Sequence, residues 1–169
     1  DGLASGKGVV LCHSKDEISN ALQILYKRFP NACEKILIEE KLHELATRVS
    51  EIRNATPKIL ANHQQKVRDK LAELSSEADP ARLEQELVLI ANKSDIAEEL
   101  DRLDTHISEI RNTLALSKSI GRRLDFLMQE LNRETNTLSS KALHTDTTLS
   151  TVDMKVLIEQ MREQIQNIE

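Results

Sequence analysis

The sequence predicts a mainly α fold of long antiparallel helices, packed as a bundle or a helical arm, with a small β-α-β-like piece at the N-terminus. Three observations carry this reading. Apolar residues recur in alternating steps of four and three over most of the 169 residues, the period of one helix face. Gly and Pro number only 4 and 3, so the chain has few breakers. Aromatic residues make up 2% of the chain, with no Trp, which leaves Leu, Ile and Val to fill the spaces between helices.

The first forty residues differ from the rest. Small residues around Lys7 and the apolar run Val9 to Leu11 suggest a loop and a strand. Ser14 and Glu17 form a capping box for a helix carrying Ala21, Leu22, Leu25 and Tyr26. Phe29-Pro30-Asn31 is expected to end that helix, and Lys35 to Ile38 to form a second strand. From Ile38 the pattern is helical, through Leu42, Leu45, Val49 and Ile52, then Leu60, Gln64, Val67, Leu71 and Leu74. Pro57 lies between these two runs and is expected to kink or break the helix, because proline offers no N–H to the ladder.

Asp79-Pro80 reads as a cap followed by a proline in the first turn, a restart signal. The helix after it is expected to carry Ile96, Leu100, Leu103, Ile107, Ile110 and Leu114, a coiled-coil-like seam. Gly121 marks the next break, and Leu124, Leu127, Leu131 and Leu138 stripe the helix that follows. Leu143 to Ser150 reads as a polar loop. Ser150 and Asp153 then cap a last helix striped by Met154, Ile158, Met161, Ile165 and Ile168.

The formal net charge of −5 argues against a broadly basic nucleic-acid binder, while leaving room for a local basic patch or a metal ion to meet phosphates. Cys12 and Cys33 are isolated and read as reduced thiols. No apolar run reaches the ~18 residues of a membrane span and no signal-peptide core is evident, so a soluble cytoplasmic protein is expected.

Chemistry concentrates in two places. Asp95, Glu99, Arg102 and His106 step by four, three and four, lining one flank about a quarter turn from the apolar seam. Carboxylates and an imidazole can hold a divalent ion that polarises a phosphoryl group and acidifies bound water. Arginine clamps phosphate, and an imidazole with a reference pKa near neutral can serve as general acid or base. The competing reading is a salt-bridged solvent face. In the second place, Gly121 to Ala142, the leucine stripe has two polar flanks: Asp125, Gln129, Asn132 and Asn136 on one side, Arg123, Glu130 and Glu134 on the other. Here Lys118, Arg122, Arg123, Arg133 and Lys141 outnumber the acids, which makes a phosphate track or, alternatively, a network that fixes helix register. His13, His43, His63 and His144 read as ordinary surface or packing residues. Tyr26, Phe29 and Phe126 are too few for a base-stacking platform of the single-strand-binding kind.

The stretch GRRLDFLMQELNRETNTLSSKA resembles, nearly residue for residue, the signature of the YicC-like endoribonucleases. RLEQELVLIANKSDIAEELDRLDTHI and MKVLIEQMREQIQNIE are similar to two further blocks of that family, and the resemblance runs from about Leu37 to Glu169. It implies metal-dependent endonucleolytic cleavage of RNA by a cytoplasmic protein that assembles into a ring-like homo-oligomer. On that basis the expected catalytic residues are Glu99, His106 and Glu130. Arg102, Arg122, Arg123, Asn132 and Arg133 are expected to contact RNA, and Glu99, His106, Asp125, Glu130 and Glu134 to hold Mg or Mn. The family's chains begin with a strand-rich region that nothing here resembles. A helical oligomerisation or RNA-interaction module without catalysis is the alternative.

Residues 1–40 resemble instead a fragment of the ATP-grasp domain of phosphoribosylamine–glycine ligase. DGLASGKGVV is similar to its phosphate-covering loop and ILIEEKL to the strand at its adenine site. That resemblance would bring Lys7 to phosphates and Glu39–Glu40 to the adenine. Half an ATP-grasp fold has nothing to close over a nucleotide, so no useful ATP binding is expected. Residues 1–40 and 41–169 are accordingly expected to be separate units.

Overall fold

The computed structural model describes residues 30–74, 80–93, 95–116 and 120–166. Among them are five helices: α1 (Pro30–Leu74), α2 (Pro80–Lys93), α3 (Ala97–Leu114), α4 (Gly121–Lys141) and α5 (Thr145–Ile165). The first part of α1 closes a four-helix ring with α3, α4 and α5, each helix packing on two neighbours. Adjacent helices are antiparallel. Lys35, near the start of α1, donates to the carbonyl oxygens of Leu114 and Leu116 past the end of α3, at 2.8 and 3.4 Å. Arg123, early in α4, meets Glu109, late in α3, at 2.7 Å. Asp125 on α4 meets Arg162 near the end of α5 at 3.4 Å.

The predicted stripes form the core. Ile38, Leu42, Leu45, Val49 and Ile52 of α1 are buried, as are Ile96, Leu100, Leu103, Ile107, Ile110 and Leu114 on the α3 side. They meet Leu124, Leu127, Leu131 and Leu138 of α4, and Met154, Ile158, Met161 and Ile165 of α5, in one continuous cluster. Burying this apolar area is what stabilises the bundle. Polar links run along the outside. Arg53 of α1 spans Asp101 and Asp104 of α3 at 2.9 Å each. Burial works to lower the Arg53 pKa, but hydrogen bonds and charge from Asp104 and Asp101 prevail and hold it above the usual arginine value.

At 45 residues, α1 is about 67 Å long. Among its described side chains the buried apolar positions stop at Ile52, the far part of the helix extends past the ring, and α2 packs back against α1. The chain is therefore both bundle and arm.

Several expectations are corrected. Lys35 to Ile38 is helix, and so are Pro30 and Asn31, where the sequence suggested an ending. The second strand of the β-α-β sketch is thus absent, whereas the first strand and its helix lie outside the described residues. No break falls between residues 40 and 41. α1 also runs through Pro57 unbroken. The helix begun at Pro80 stops at Lys93, and the Ile96–Leu114 seam belongs to the separate helix α3 with Ile96 at its cap. Asp95 ends that junction by accepting the Ala97 N–H at 3.0 Å. The polar loop shrinks to 142–144, because α5 already begins at Thr145. His144 rather than Ser150 caps it, its Nδ1 accepting the Asp146 N–H at 3.2 Å. The buried Thr151 hydroxyl donates to the Thr148 carbonyl at 2.7 Å, which lets a threonine-rich segment be helical without orphaned hydroxyls. No described helix is long and apolar enough to cross a membrane.

Candidate functional site

The α3–α4 seam carries the chemistry. On α3, Glu99, Arg102, His106 and Glu109 recur at three- and four-residue steps and so face one neighbour. On α4 the matching face is Arg123, Glu130, Glu134 and Lys141. Because the two helices are antiparallel, the early residues of one meet the late residues of the other. Lys141 donates to Glu99 at 2.9 Å. Arg102 donates to Glu134 at 3.3 Å while also pairing with Glu98 one turn back. Arg123 closes the far end on Glu109.

Between these pairs lies a cluster of donors. One ring nitrogen of His106 and one carboxylate oxygen each of Glu130 and Glu134 lie within 4.8 Å of one another. Glu134 is buried, and His106 and Glu130 are half-buried. The Nδ1 of His106 is buried with no hydrogen-bond partner. Glu130 and Glu134 are one turn apart on α4, so their like charges repel without a cation. Arg102 offsets part of this. Its hydrogen bond to Glu134, then the charge of Glu98, raise the Arg102 pKa above the usual value. Arg133 approaches Glu130 only at 3.9 Å.

Two carboxylates and an imidazole on rigid helices fit a divalent ion. The carboxylates suit Mg or Mn, and the imidazole shifts the preference toward Mn. An imidazole brought from a second helix to two carboxylates makes the set more than an acidic cluster.

Other predicted site residues lie elsewhere. Glu99 is buried on the same seam, but one oxygen is taken by Lys141 and the other is buried without a partner. Its position on α3 is seven residues, about two turns, before His106, so it stands apart from the three-residue cluster. Asp125 faces the α4–α5 seam, bonded to Gln129 and Arg162, on a different side of α4 from His106. Arg122 and Asn132 are exposed. Arg122 has no ion pair among the described residues, whereas Arg123 is tied to Glu109. Glu98 lies four residues before Arg102, a standard helix pair that sequence reasoning did not single out, and Phe126, counted there only among too few rings for a stacking platform, is 57% exposed on α4.

Comparison with known proteins gives the family. The family described as "Endoribonuclease YicC-like, C-terminal" matches residues 52–169, which include the whole α3–α4 seam. The chain belongs to this family. It is 46% identical over 133 residues to "Probable endoribonuclease YicC" of Haemophilus influenzae, a match covering 79% of this chain and 46% of that protein. It is 40% identical over 128 residues to the protein of the same name from Clostridioides difficile, covering 74% of this chain and 44% of that one. The YicC-like chain thus spans less than half the length of these relatives. The ATP-grasp resemblance of residues 1–40 gains no support. Its N-terminal part lies outside the described residues, and ILIEEKL is helix in α1, with Glu39 paired to Arg111 at 2.8 Å.

Proposed function

We propose that this chain carries the metal-dependent RNA-cleaving centre of a YicC-like endoribonuclease, with His106, Glu130 and Glu134 holding one divalent ion. The convergence of these three donors from two helices is the observation that supports it. A bound Mn or Mg would polarise a phosphoryl oxygen and lower the pKa of a bound water. The chain's own residues have separate tasks. Arg102 holds the Glu134 carboxylate in register through its hydrogen bond. Arg122 and Arg133, exposed on the outer face of α4, neutralise the phosphates of the RNA backbone. Asn132, also exposed on α4, is available to a ribose or base edge. Glu99 sets the neighbouring charge through Lys141 rather than joining the ion's ligands. Assembly with like chains belongs to the same reading, and the outward apolar residues Leu149, Val152 and Val156 of α5 support it.

The test combines cleavage and binding. The purified chain should cut structured RNA with Mn or Mg present and not in chelator. Mn should also raise its melting temperature, because an ion that binds only the folded state stabilises it by mass action. His106→Ala and Glu130→Ala should each abolish cleavage and the Mn-dependent shift, with helix content and assembly unchanged. Variants that cut normally, or that unfold, would make the seam a structural network and the chain an interaction module.

A further inference from the structure

Phe126 is an aromatic ring in an unusual place. It is the only Phe, Tyr or Trp among the described residues, and it is 57% exposed in a chain with almost no aromatic content. The buried face of α4 is complete without it, since Leu124, Leu127, Met128 and Leu131 fill the core on either side. Its neighbours on the outer face are polar. Arg122 lies four residues before it and Arg133 seven residues after, both exposed and both within about 40° of it around the helix. Glu130 lies four residues on, about 6 Å farther along the axis and about 40° toward α3, where it joins His106 and Glu134. The order along the outside of α4 is therefore cation, aromatic ring, ion-binding carboxylate, cation. A bare ring between two guanidinium groups is poorly suited to water but well suited to a flat π-face carried on a phosphate backbone.

We infer that Phe126 is a specificity-determining residue: its ring stacks on one unpaired nucleobase of the RNA, adjacent to the phosphate presented at the His106–Glu130–Glu134 cluster. This rests on the RNA-cleaving reading of that cluster. A base within a duplex already stacks on its neighbours and offers no free face to a side chain, whereas an unpaired base in a loop or a single strand does. Phe126 thus selects unpaired positions. Arg122 and Arg133 hold the flanking backbone without regard to base identity. The stack is tolerant of base type, because every base has a π-face.

The chain contains no Trp, so Phe126→Trp supplies both a conservative replacement and a fluorescence probe confined to this position. Binding is measured in chelator, where nothing is cut, to a short single-stranded RNA and to an abasic strand of equal length and charge. Phe126→Trp should bind the RNA as the native chain does, with its fluorescence quenched by the RNA and not by the abasic strand. Phe126→Ala and Phe126→Leu should both bind the RNA about tenfold more weakly, within the range seen when one stacked base is lost, and bind the abasic strand unchanged. If Leu restores binding, or either variant changes the oligomeric state, the ring is an apolar contact to another protein surface and the inference falls. It also falls if Ala binds the RNA normally. Loss of metal-dependent cleavage with stacking intact would overturn the ion-binding reading alone, so the two failures are distinguishable.

Discussion

Lys141 decides how Glu99 is tolerated. The Glu99 side chain is 8% exposed, and Lys141, 32% exposed, supplies its cation at 2.9 Å while also donating to the Asp95 carbonyl at the start of α3. A carboxylate taken from water without a partner is costly, and removing one member of a buried pair costs more than the pair is worth. Lys141→Met should therefore destabilise the chain by about 2 kcal/mol, read from urea denaturation. Glu99→Leu combined with Lys141→Met should recover most of that loss. If the single variant is neutral, Glu99 is satisfied by something other than Lys141. This residue also marks where sequence reading stops. Spacing arguments reach three or four residues along one helix, and they put Glu99 on the right flank. They cannot supply a partner 42 residues away on another helix. His106, Glu130 and Glu134 were more legible, because a short connection makes α3 and α4 antiparallel neighbours and so sets their faces against each other. Asp125 shares a helix with Glu130 but lies toward α5, bonded to Arg162, and only the packing partners separate the two flanks.

Among the elements, α1 departs furthest from its expected form. Proline inside a helix removes one hydrogen bond and crowds the carbonyl four residues back, here that of Arg53. That cost predicts a break at Pro57, and in isolation it would win. The helix nevertheless continues, held before Pro57 by Val49 and Ile52 in the core, with α2 packed against α1 as a further support. The same logic explains α5, whose threonines are poor helix formers that a buried Thr151 and a His144 cap carry into the helix. Since Pro57 is a local defect in a continuous helix, Pro57→Ala should stabilise it by about 1–3 kcal/mol. Hydrogen exchange should show rising protection of the amides at 58–61. No change in protection would mean that the helix already bends there and leaves those amides open. What the sequence made plain was the four-three rhythm on either side of the proline; what it hid was that tertiary contacts would override the proline.

At the scale of the whole molecule the chain has two tiers of stability. Every member of the main apolar cluster on α1 lies at or before Ile52, and the remaining members lie on or beside α3, α4 and α5. The arm beyond Pro57 has little of this. Ile59, Leu60 and Val67 are only half-buried, and on α2 Leu87 is buried while Val88 and Leu89 are about half exposed. The sequence could show that both stretches of α1 are amphipathic, but not that the other three bundle helices end near the level of Ile52. That boundary is set by their lengths of 18, 21 and 21 residues against the 45 of α1. Segments with few buried apolar contacts open at lower free energy than the core, and a protease samples those openings first. Brief trypsin digestion should therefore cut the arm at Lys66, Arg68 or Lys70 before any lysine or arginine of α3, α4 or α5. Mass spectrometry would follow the order of cuts. The fragments that remain should keep the α3–α4 seam, and with it the His106, Glu130 and Glu134 donors, in a folded ring. Simultaneous cleavage in arm and bundle would show that α1 transmits the bundle's stability along its full length, and the division into two tiers would be wrong.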